Sequence, residues 1–295
     1  MINQKEYSKH IKEEEDHWGN VAMEEFKKTP PDYKFYRKTL PYVIYRNNYV
    51  QKAIIYVKPN DKVLELGCYN GWFSLQLARK GANVDAYDLA DDALSIGKQY
   101  YNYIKKRENL KGVVNYNEQD LNNPKFLKKQ YDIVVIRSLL HHILNPDKLI
   151  IECKKVLKPG GLIIVDDNLT INESDTLITG LLLFLMPTVI SYRQKPWRVL
   201  KKGRILQRTQ ELIEAKGSSP FESVSGEESL ISLKNNFKQI ELYTFSAFIG
   251  SLTSQVKLSK SKKIKFLNFM NKLENSLIKL GLIRGACYFY VGENI

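Results

Sequence analysis

Short apolar runs alternate along the chain with longer stretches whose hydrophobic residues recur at helical spacing. Runs near 62–66, 83–87, 112–117, 131–136, 161–166, 238–245 and 286–292 predict strands. Segments near 72–80, 91–106, 146–157, 203–215 and 226–235 predict helices, and Ser225 or Gly226 ahead of Glu227 and Glu228 suits the start of the last one. The alternation predicts an α/β fold, a doubly wound and mostly parallel sheet with helices on both faces. In such sheets ligands bind outside the carboxyl ends of the strands.

The first strand and the turn after it carry the strongest signal. Lys62-Val63-Leu64-Glu65-Leu66-Gly67-Cys68-Tyr69-Asn70-Gly71-Trp72-Phe73-Ser74 reads as an apolar strand, a glycine turn and a helix start. Glycine lets backbone turn sharply beside a ligand, and the free N–H groups of the helix that follows favour an anionic group. A nucleotide-type cofactor site is expected there. The next strand, Asn83 to Asp88, ends in an acid. A carboxylate at that point can accept hydrogen bonds from two ribose hydroxyls, of NAD or of S-adenosylmethionine. A dinucleotide site would carry Gly-x-Gly-x-x-Gly against a pyrophosphate. Only Gly67 and Gly71 are present, and S-adenosylmethionine, which has no phosphate, needs less glycine.

Three further segments follow in order. They are Tyr116 to Leu121, Tyr131 to Ile136 leading into Arg137-Ser138-Leu139-Leu140-His141-His142, and Val156 to Val165 with its turn at Pro159-Gly160-Gly161. From Lys62 to Asp167 the ordered set resembles class I S-adenosylmethionine-dependent methyltransferases. The resemblance implies a Rossmann-like, seven-stranded sheet in which strand 238–245 is parallel and the last strand antiparallel, with helical lid insertions. It implies Glu65 and Gly67 at the methionine end of the cofactor, Asp88 on the ribose, and Asp120 with Leu121 at the adenine. Cys68, Tyr69, Gly71, Leu89 and Arg137 complete the expected cofactor-binding set. Tyr69 departs from the family, where a glycine is common, and its ring or hydroxyl is expected against the cofactor. Residues 57–295 would form the methyltransferase domain, with insertions at about 170–210 and 247–285. Residues 1–56 would form an N-terminal helical cap.

Composition changes this picture mainly through charge. A chain of 295 residues with 43% hydrophobic content suits one α/β domain with insertions. Cys68, Cys153 and Cys287 are too widely spaced for a disulfide framework or a metal set, and Met1 to Trp18 is polar; both features predict a cytoplasmic protein. The formal net charge of +13 is concentrated. Seven cations and no acid lie between Arg193 and Arg208, and eight cations face Glu274 alone between Lys257 and Arg284. By topology both basic segments should sit over the mouth where an acceptor enters. The first follows the leucine-rich run Leu177–Ile190, too short to span a bilayer and interrupted by Pro187. The second contains Ile264 to Leu280, an amphipathic helix pattern.

Methyl transfer from a sulfonium is an in-line displacement that positioning and desolvation promote. A hydroxyl acceptor also needs a base within hydrogen-bond reach. His141 and His142, just past the fourth strand, are candidate bases, since imidazole titrates near neutral pH. Asp166 and Asp167 end the fifth strand and are further catalytic candidates, one facing inward at a time because strand side chains alternate. The plainer readings are histidines that pack and acids that sit in a turn. His10 and His17 read as surface or packing residues. No Asn/Asp-Pro-Pro-Tyr follows the fourth strand, which disfavours methylation of a nucleobase amine. Arg137 and Ser138 stand where catechol-type enzymes place a magnesium-holding acid, so metal-independent chemistry is expected.

A basic, apolar lid suits an anionic acceptor with an apolar part, a small molecule or a lipid-linked one, and peripheral contact with a membrane surface. The plainer reading is a helix that buries its leucines on the domain. The order of leucine-rich stretch, Pro196-Trp197 and Ser219 to Gly226 loosely resembles methyltransferases of surface-polysaccharide and glycan pathways. That resemblance implies O-methylation of a sugar on a nucleotide-linked or lipid-linked intermediate. Three alternatives stay open. One is a quinone, prenyl-lipid or other small-molecule methyltransferase. Another is an RNA methyltransferase, whose phosphate contacts would explain the charge, although no RNA-binding motif is appended. The last is a non-catalytic protein of this fold that binds cofactor or a partner.

Overall fold

The architecture was obtained as a computed structural model, which describes residues 4–28, 39–126, 130–170, 172–195 and 226–295. Apolar runs buried on both faces build its sheet. The strands are β1 (Lys62–Leu66), β2 (Asn83–Asp88), β3 (Val113–Glu118), β4 (Tyr131–Arg137), β5 (Leu157–Asn168), β6 (Lys238–Phe245) and β7 (Cys287–Glu293). They lie in the order β3-β2-β1-β4-β5-β7-β6. β1 to β5 pair in parallel, and β7 is antiparallel to both β5 and β6, which leaves β6 parallel to the rest. This is the seven-stranded, Rossmann-like sheet expected from sequence. The chain runs outward from β1 through β2 to β3, then returns to place β4 on the other side of β1. The two halves of the sheet diverge at that switch point, and a crevice opens above the carboxyl ends of β1 and β4.

Helices cover both faces. They are α1 (Gln4–Lys28), α2 (Asn47–Ile55), which continues a π-helical turn at Tyr42–Arg46, α3 (Trp72–Arg79), α4 (Asp91–Arg107) and α5 (Pro146–Val156). α6 (Glu173–Leu185), α7 (Gly226–Asn236), α8 (Ile249–Gln255) and α9 (Lys260–Lys279) follow. Local chemistry sets several starts. Asn145 accepts from the Lys148 N–H ahead of Pro146, and Asn172 accepts from the Asp175 N–H. Alternation along β1 splits the core in two. Val63 joins Val84, Ile133 and Phe73 on one face, while Leu64 and Leu66 join Ile136, Leu149 and Ile150 on the other.

The insertions are anchored by buried charges. Asp175 on α6 accepts from the N–H groups of Arg284 (3.2 Å) and Gly285 (2.9 Å). Glu274 on α9 accepts from those of Ser246 (2.9 Å), Phe248 (2.7 Å) and Ile249 (2.7 Å). The run Leu177–Ile190 forms an ordinary α-helix that stops at Leu185, two residues before Pro187. Lys195, one cation of the first basic cluster, is buried and caps that helix, donating to the carbonyls of Leu183 (2.7 Å), Phe184 (3.1 Å) and Met186. The expected helix at 203–215, the cations Arg198 to Arg208 and the stretch Ser219 to Ser225 lie outside the described residues. Among the described residues no helix is long and apolar enough to cross a membrane.

Candidate functional site

After Leu66 the chain turns through Gly67 (φ +72°) and Tyr69 (φ +51°) into α3, whose N-cap is Gly71 (φ +69°). A Cβ on Gly67 would press on Leu139 at 3.1 Å, and one on Gly71 would overlap the Tyr116 hydroxyl. Both positions therefore need glycine, for dihedral and for space. Asp88, at the tip of β2, ties this loop down: its Oδ2 accepts from the Tyr69 N–H at 2.7 Å and its Oδ1 from the Ala90 N–H at 3.1 Å. Burial pushes the Asp88 carboxyl up from its usual value, and these amides pull against that shift.

This turn, the ends of β2 to β4, α1 and the Tyr42–Arg46 turn enclose a cavity of about 440 Å³, a size suited to a small-molecule ligand. Asp88, Leu89, Asp120 and Leu121 line it on the β2–β3 side. Glu65, Gly67, Cys68 and Tyr69 line its centre, and Arg137, His141 and His142 its β4 side. Of the expected cofactor set only Gly71 is off the wall; it packs against Tyr116 instead. Glu65 accepts from the Ser74 hydroxyl at 2.5 Å. Burial pushes its carboxyl up to about 7, against the pull of that hydrogen bond and of the Arg137 charge.

α1 roofs the cavity with Ile11, Glu14, Trp18, Val21 and Glu25, a stripe at alternating spacings of three and four. The Tyr7 hydroxyl donates to Asp120 Oδ2 at 2.5 Å, and the Tyr69 hydroxyl donates to Glu25 at 3.3 Å. The Tyr69 ring also meets Trp18 edge to face at 5.9 Å. The residue that replaces the family glycine thus both lines the cavity and holds its roof. Glu14 is buried; its Oε1 accepts from Trp18 Nε1 at 2.8 Å, while its Oε2 has no hydrogen-bond partner.

On the other side Ser138, in the left-handed region at φ +49°, breaks β4, and its N–H donates to the Asp166 carbonyl at 2.7 Å. One 3₁₀ turn, Leu140–His142, then carries both histidines to the cavity wall. His141 Nδ1 lies 2.5 Å from Asp167 Oδ1, and Asp167 Oδ2 accepts from the N–H groups of Leu139 (3.0 Å) and Leu140 (2.6 Å). Burial alone would raise the Asp167 pKa; the hydrogen bond and charge of His141, with the amides, bring it below the usual carboxylate value. His142 lies tilted against His141 at 4.0 Å and meets Trp18 edge to face at 5.7 Å, with its Nδ1 3.5 Å from Glu14. Burial, then the neighbouring His141 charge, push its pKa down to about 3, so its ring stays neutral near pH 7.

Asp166 and Asp167 do not sit in a turn, and neither lines the cavity. Both are buried within β5 and act through neighbours: Asp166 pairs with Arg137 at 3.1 Å, and Asp167 fixes His141. Arg137 lies over Phe73 at 4.7 Å and Trp72 at 5.2 Å. Arg46, which sequence reasoning missed, lines the cavity with its Nη1 3.5 Å from the Ser138 hydroxyl. Glu14 was missed as well; the stripe on α1 was its only signal. His10 and His17 are not among the lining residues, nor is any residue of α6 or α9. The described parts of the insertions stand beside the cavity rather than over its mouth.

Residues 64–165, from β1 to β5, match the family described as a methyltransferase domain. This stretch is similar to that family. Over 109 residues it is 31% identical to a ubiquinone biosynthesis O-methyltransferase of Shewanella pealeana, covering 35% of this chain and 41% of that protein. The chain spans less than half the length of the curated relatives it matches. Among solved structures it resembles geranyl diphosphate C-methyltransferase of Streptomyces coelicolor, with a TM-score of 0.51 at 11% identity, covering 85% of this chain and 78% of that one. It also resembles phosphoethanolamine N-methyltransferase 2 of Haemonchus contortus, with a TM-score of 0.50 at 17% identity, covering 84% and 52%. These likenesses establish the fold, that of class I S-adenosylmethionine-dependent methyltransferases. The match leaves α1, α6 and α9 outside it.

Proposed function

We propose that the chain is an S-adenosylmethionine-dependent O-methyltransferase whose acceptor is a small, planar hydroxylated ring of the phenol or quinol type. The His141–Asp167 pair on the cavity wall carries this reading. With Nδ1 held by a buried carboxylate, Nε2 is the nitrogen that takes a hydroxyl proton, and Asp167 stabilises the imidazolium that results. An acceptor already nucleophilic, such as an amine, would need no such pair.

The wall suits the cofactor. An orphaned buried oxygen on Glu14, and Glu65 in the same cavity wall, favour a cationic ligand. Arg46 and Arg137 would meet the carboxylate of its methionine part, Asp88 its ribose hydroxyls, and Asp120, Leu89 and Leu121 its base. Each Asp88 oxygen accepts one backbone bond, which leaves lone pairs for a diol. S-adenosylmethionine, when bound, supplies an electrophilic methyl on a sulfonium. His142, kept neutral by burial, adds no second positive charge near it.

Trp18, Tyr42, Tyr69 and Trp72 in the wall favour a flat acceptor over a sugar. The matching relatives, named for ubiquinone biosynthesis, point the same way. The glycan reading rested on the order of the leucine-rich stretch, Pro196-Trp197 and Ser219 to Gly226, of which residues 196–225 lie outside the described residues. The test is calorimetric titration with S-adenosylmethionine, S-adenosylhomocysteine and NAD, followed by mass-spectrometric assay of methyl transfer to phenols, quinols and nucleotide sugars. Binding of the first two ligands and methylation of phenols or quinols is the expected result. Transfer to sugars alone would overturn the acceptor class, and absence of cofactor binding would overturn the whole reading.

A further inference from the structure

The two ends of α6 are tied to the chain on either side of α9. The start of α6 is tied to the chain just after α9, through Asp175 and the N–H groups of Arg284 and Gly285. Its end is tied to the chain just before α9: the Val189 N–H donates to the Gln255 carbonyl at 3.0 Å, and the Lys257 N–H to the Pro187 carbonyl at 2.9 Å. The outward faces of the two helices are complementary in composition. No charged residue occurs from Thr176 to Tyr192. Leu177, Leu181 and Leu185 form one stripe at a spacing of four, 75%, 58% and 62% exposed. α9 carries six lysines and one acid, Glu274, and that acid is buried beneath three backbone N–H groups. The charge α9 presents to solvent is therefore positive throughout, and Phe269 (64% exposed) and Leu280 (72%) stand among the lysines.

We propose that α6 and α9 together form a docking face for an anionic lipid bilayer. Apolar side chains on such a face enter the headgroup region while lysines meet lipid phosphates. A nucleic acid would satisfy the lysines but would leave the leucine stripe in water. The face borders the cavity: Asn271 of α9 donates to the Ile44 carbonyl in the Tyr42–Arg46 turn at 3.2 Å, and α6 follows Asn168, a lining residue. An apolar acceptor held in the bilayer would thus meet the enzyme next to its site. Docking itself does not depend on which reaction is catalysed.

The experiment is co-sedimentation of the full chain with vesicles of phosphatidylcholine mixed with phosphatidylglycerol, and with vesicles of phosphatidylcholine alone. Two exposed-face variants accompany it, Leu177→Ser/Leu181→Ser/Leu185→Ser and Lys262→Ser/Lys265→Ser/Lys272→Ser. Binding to the mixed vesicles should weaken with salt and fall at least about tenfold in each variant, given the worth of a lysine near an anionic surface and of a buried leucine. S-adenosylmethionine affinity should be unchanged in both, which separates a lost surface from a lost fold. Leu181→Asn and Lys265→Gln replace any triple variant that does not fold. Failure to sediment with the mixed vesicles overturns the proposal. So does binding that the leucine variant retains in full, or a chain that binds RNA and is indifferent to lipid.

Discussion

Asp167 accepts from three backbone N–H groups, those of Leu139, Leu140 and Asn168, and from an imidazole at once, so its carboxylate can occupy only one position. His141 inherits that precision. Asp167→Asn keeps the size but puts an NH₂ against donors, and it favours the wrong histidine tautomer. Its turnover should fall by about 10²-fold or more with cofactor affinity unchanged, and His141→Gln should match it. The double variant should be little worse than either, because the pair acts as a unit. Activity retained in Asp167→Asn would move the base elsewhere. Asp88 combines two roles, since it also ties Tyr69 and Ala90. Asp88→Asn should weaken S-adenosylmethionine binding by about tenfold or more in calorimetry. Asp88→Ala should additionally lower the melting temperature, because it leaves two N–H groups unpaired.

Elements differ in how much of them the chain discloses. β1, β2 and β4 were legible because each is buried and bounded by its own turn chemistry, and the site residues at their tips come with them. Gly67, Asp88 and His141 could be named from short local strings. α1 was expected as part of a cap, but the face it turns to the cavity was not legible. Its inner stripe contains Glu14 and Glu25, whose place on the wall emerges only when Tyr69 and His142 are brought to it in space. Nor did amphipathicity say where α6 and α9 lean. They were expected over the acceptor mouth, but Asp175 and Glu274 hold them to the loops that flank β6 and β7, beside the cavity. The roof invites a test. Tyr7→Phe removes the hydroxyl that joins α1 to Asp120, a bond of about 1 kcal/mol. Cofactor dissociation should quicken roughly fivefold by stopped-flow, with the melting temperature nearly unchanged. Glu274→Ala should do the reverse, lowering stability by about 2–3 kcal/mol in urea through the N–H groups it orphans.

For the molecule as a whole, two displaced cavity groups, His142 and Glu65, pull stability in opposite directions with pH. His142 titrates at about 3 in the fold instead of 6.5. Between those values the unfolded chain binds the extra proton, so stability is lost as pH falls through that window. Glu65 titrates at about 7 instead of 4.5. There the folded chain holds the extra proton, and its contribution, complete below 4.5, is lost as pH rises to 7. Each slope reaches up to about 1.4 kcal/mol per pH unit, and the two oppose where the windows overlap. A cationic cofactor changes the balance, because it favours ionised Glu65. Its affinity should rise with pH up to about 7, by at most about tenfold per unit, and then level off. Below that pH, binding should release a proton, seen as a buffer-dependent heat in calorimetry. The rise in melting temperature on adding S-adenosylmethionine should therefore be larger near pH 8 than near pH 5, since ligand stabilisation follows affinity. Glu65→Gln should abolish that difference while His142→Asn leaves it intact and flattens only the acid side of the apoprotein's stability. If Glu65→Gln keeps the full pH dependence, the proton belongs to another carboxylate of the wall, and Glu14, with its orphaned oxygen, is the one to change next.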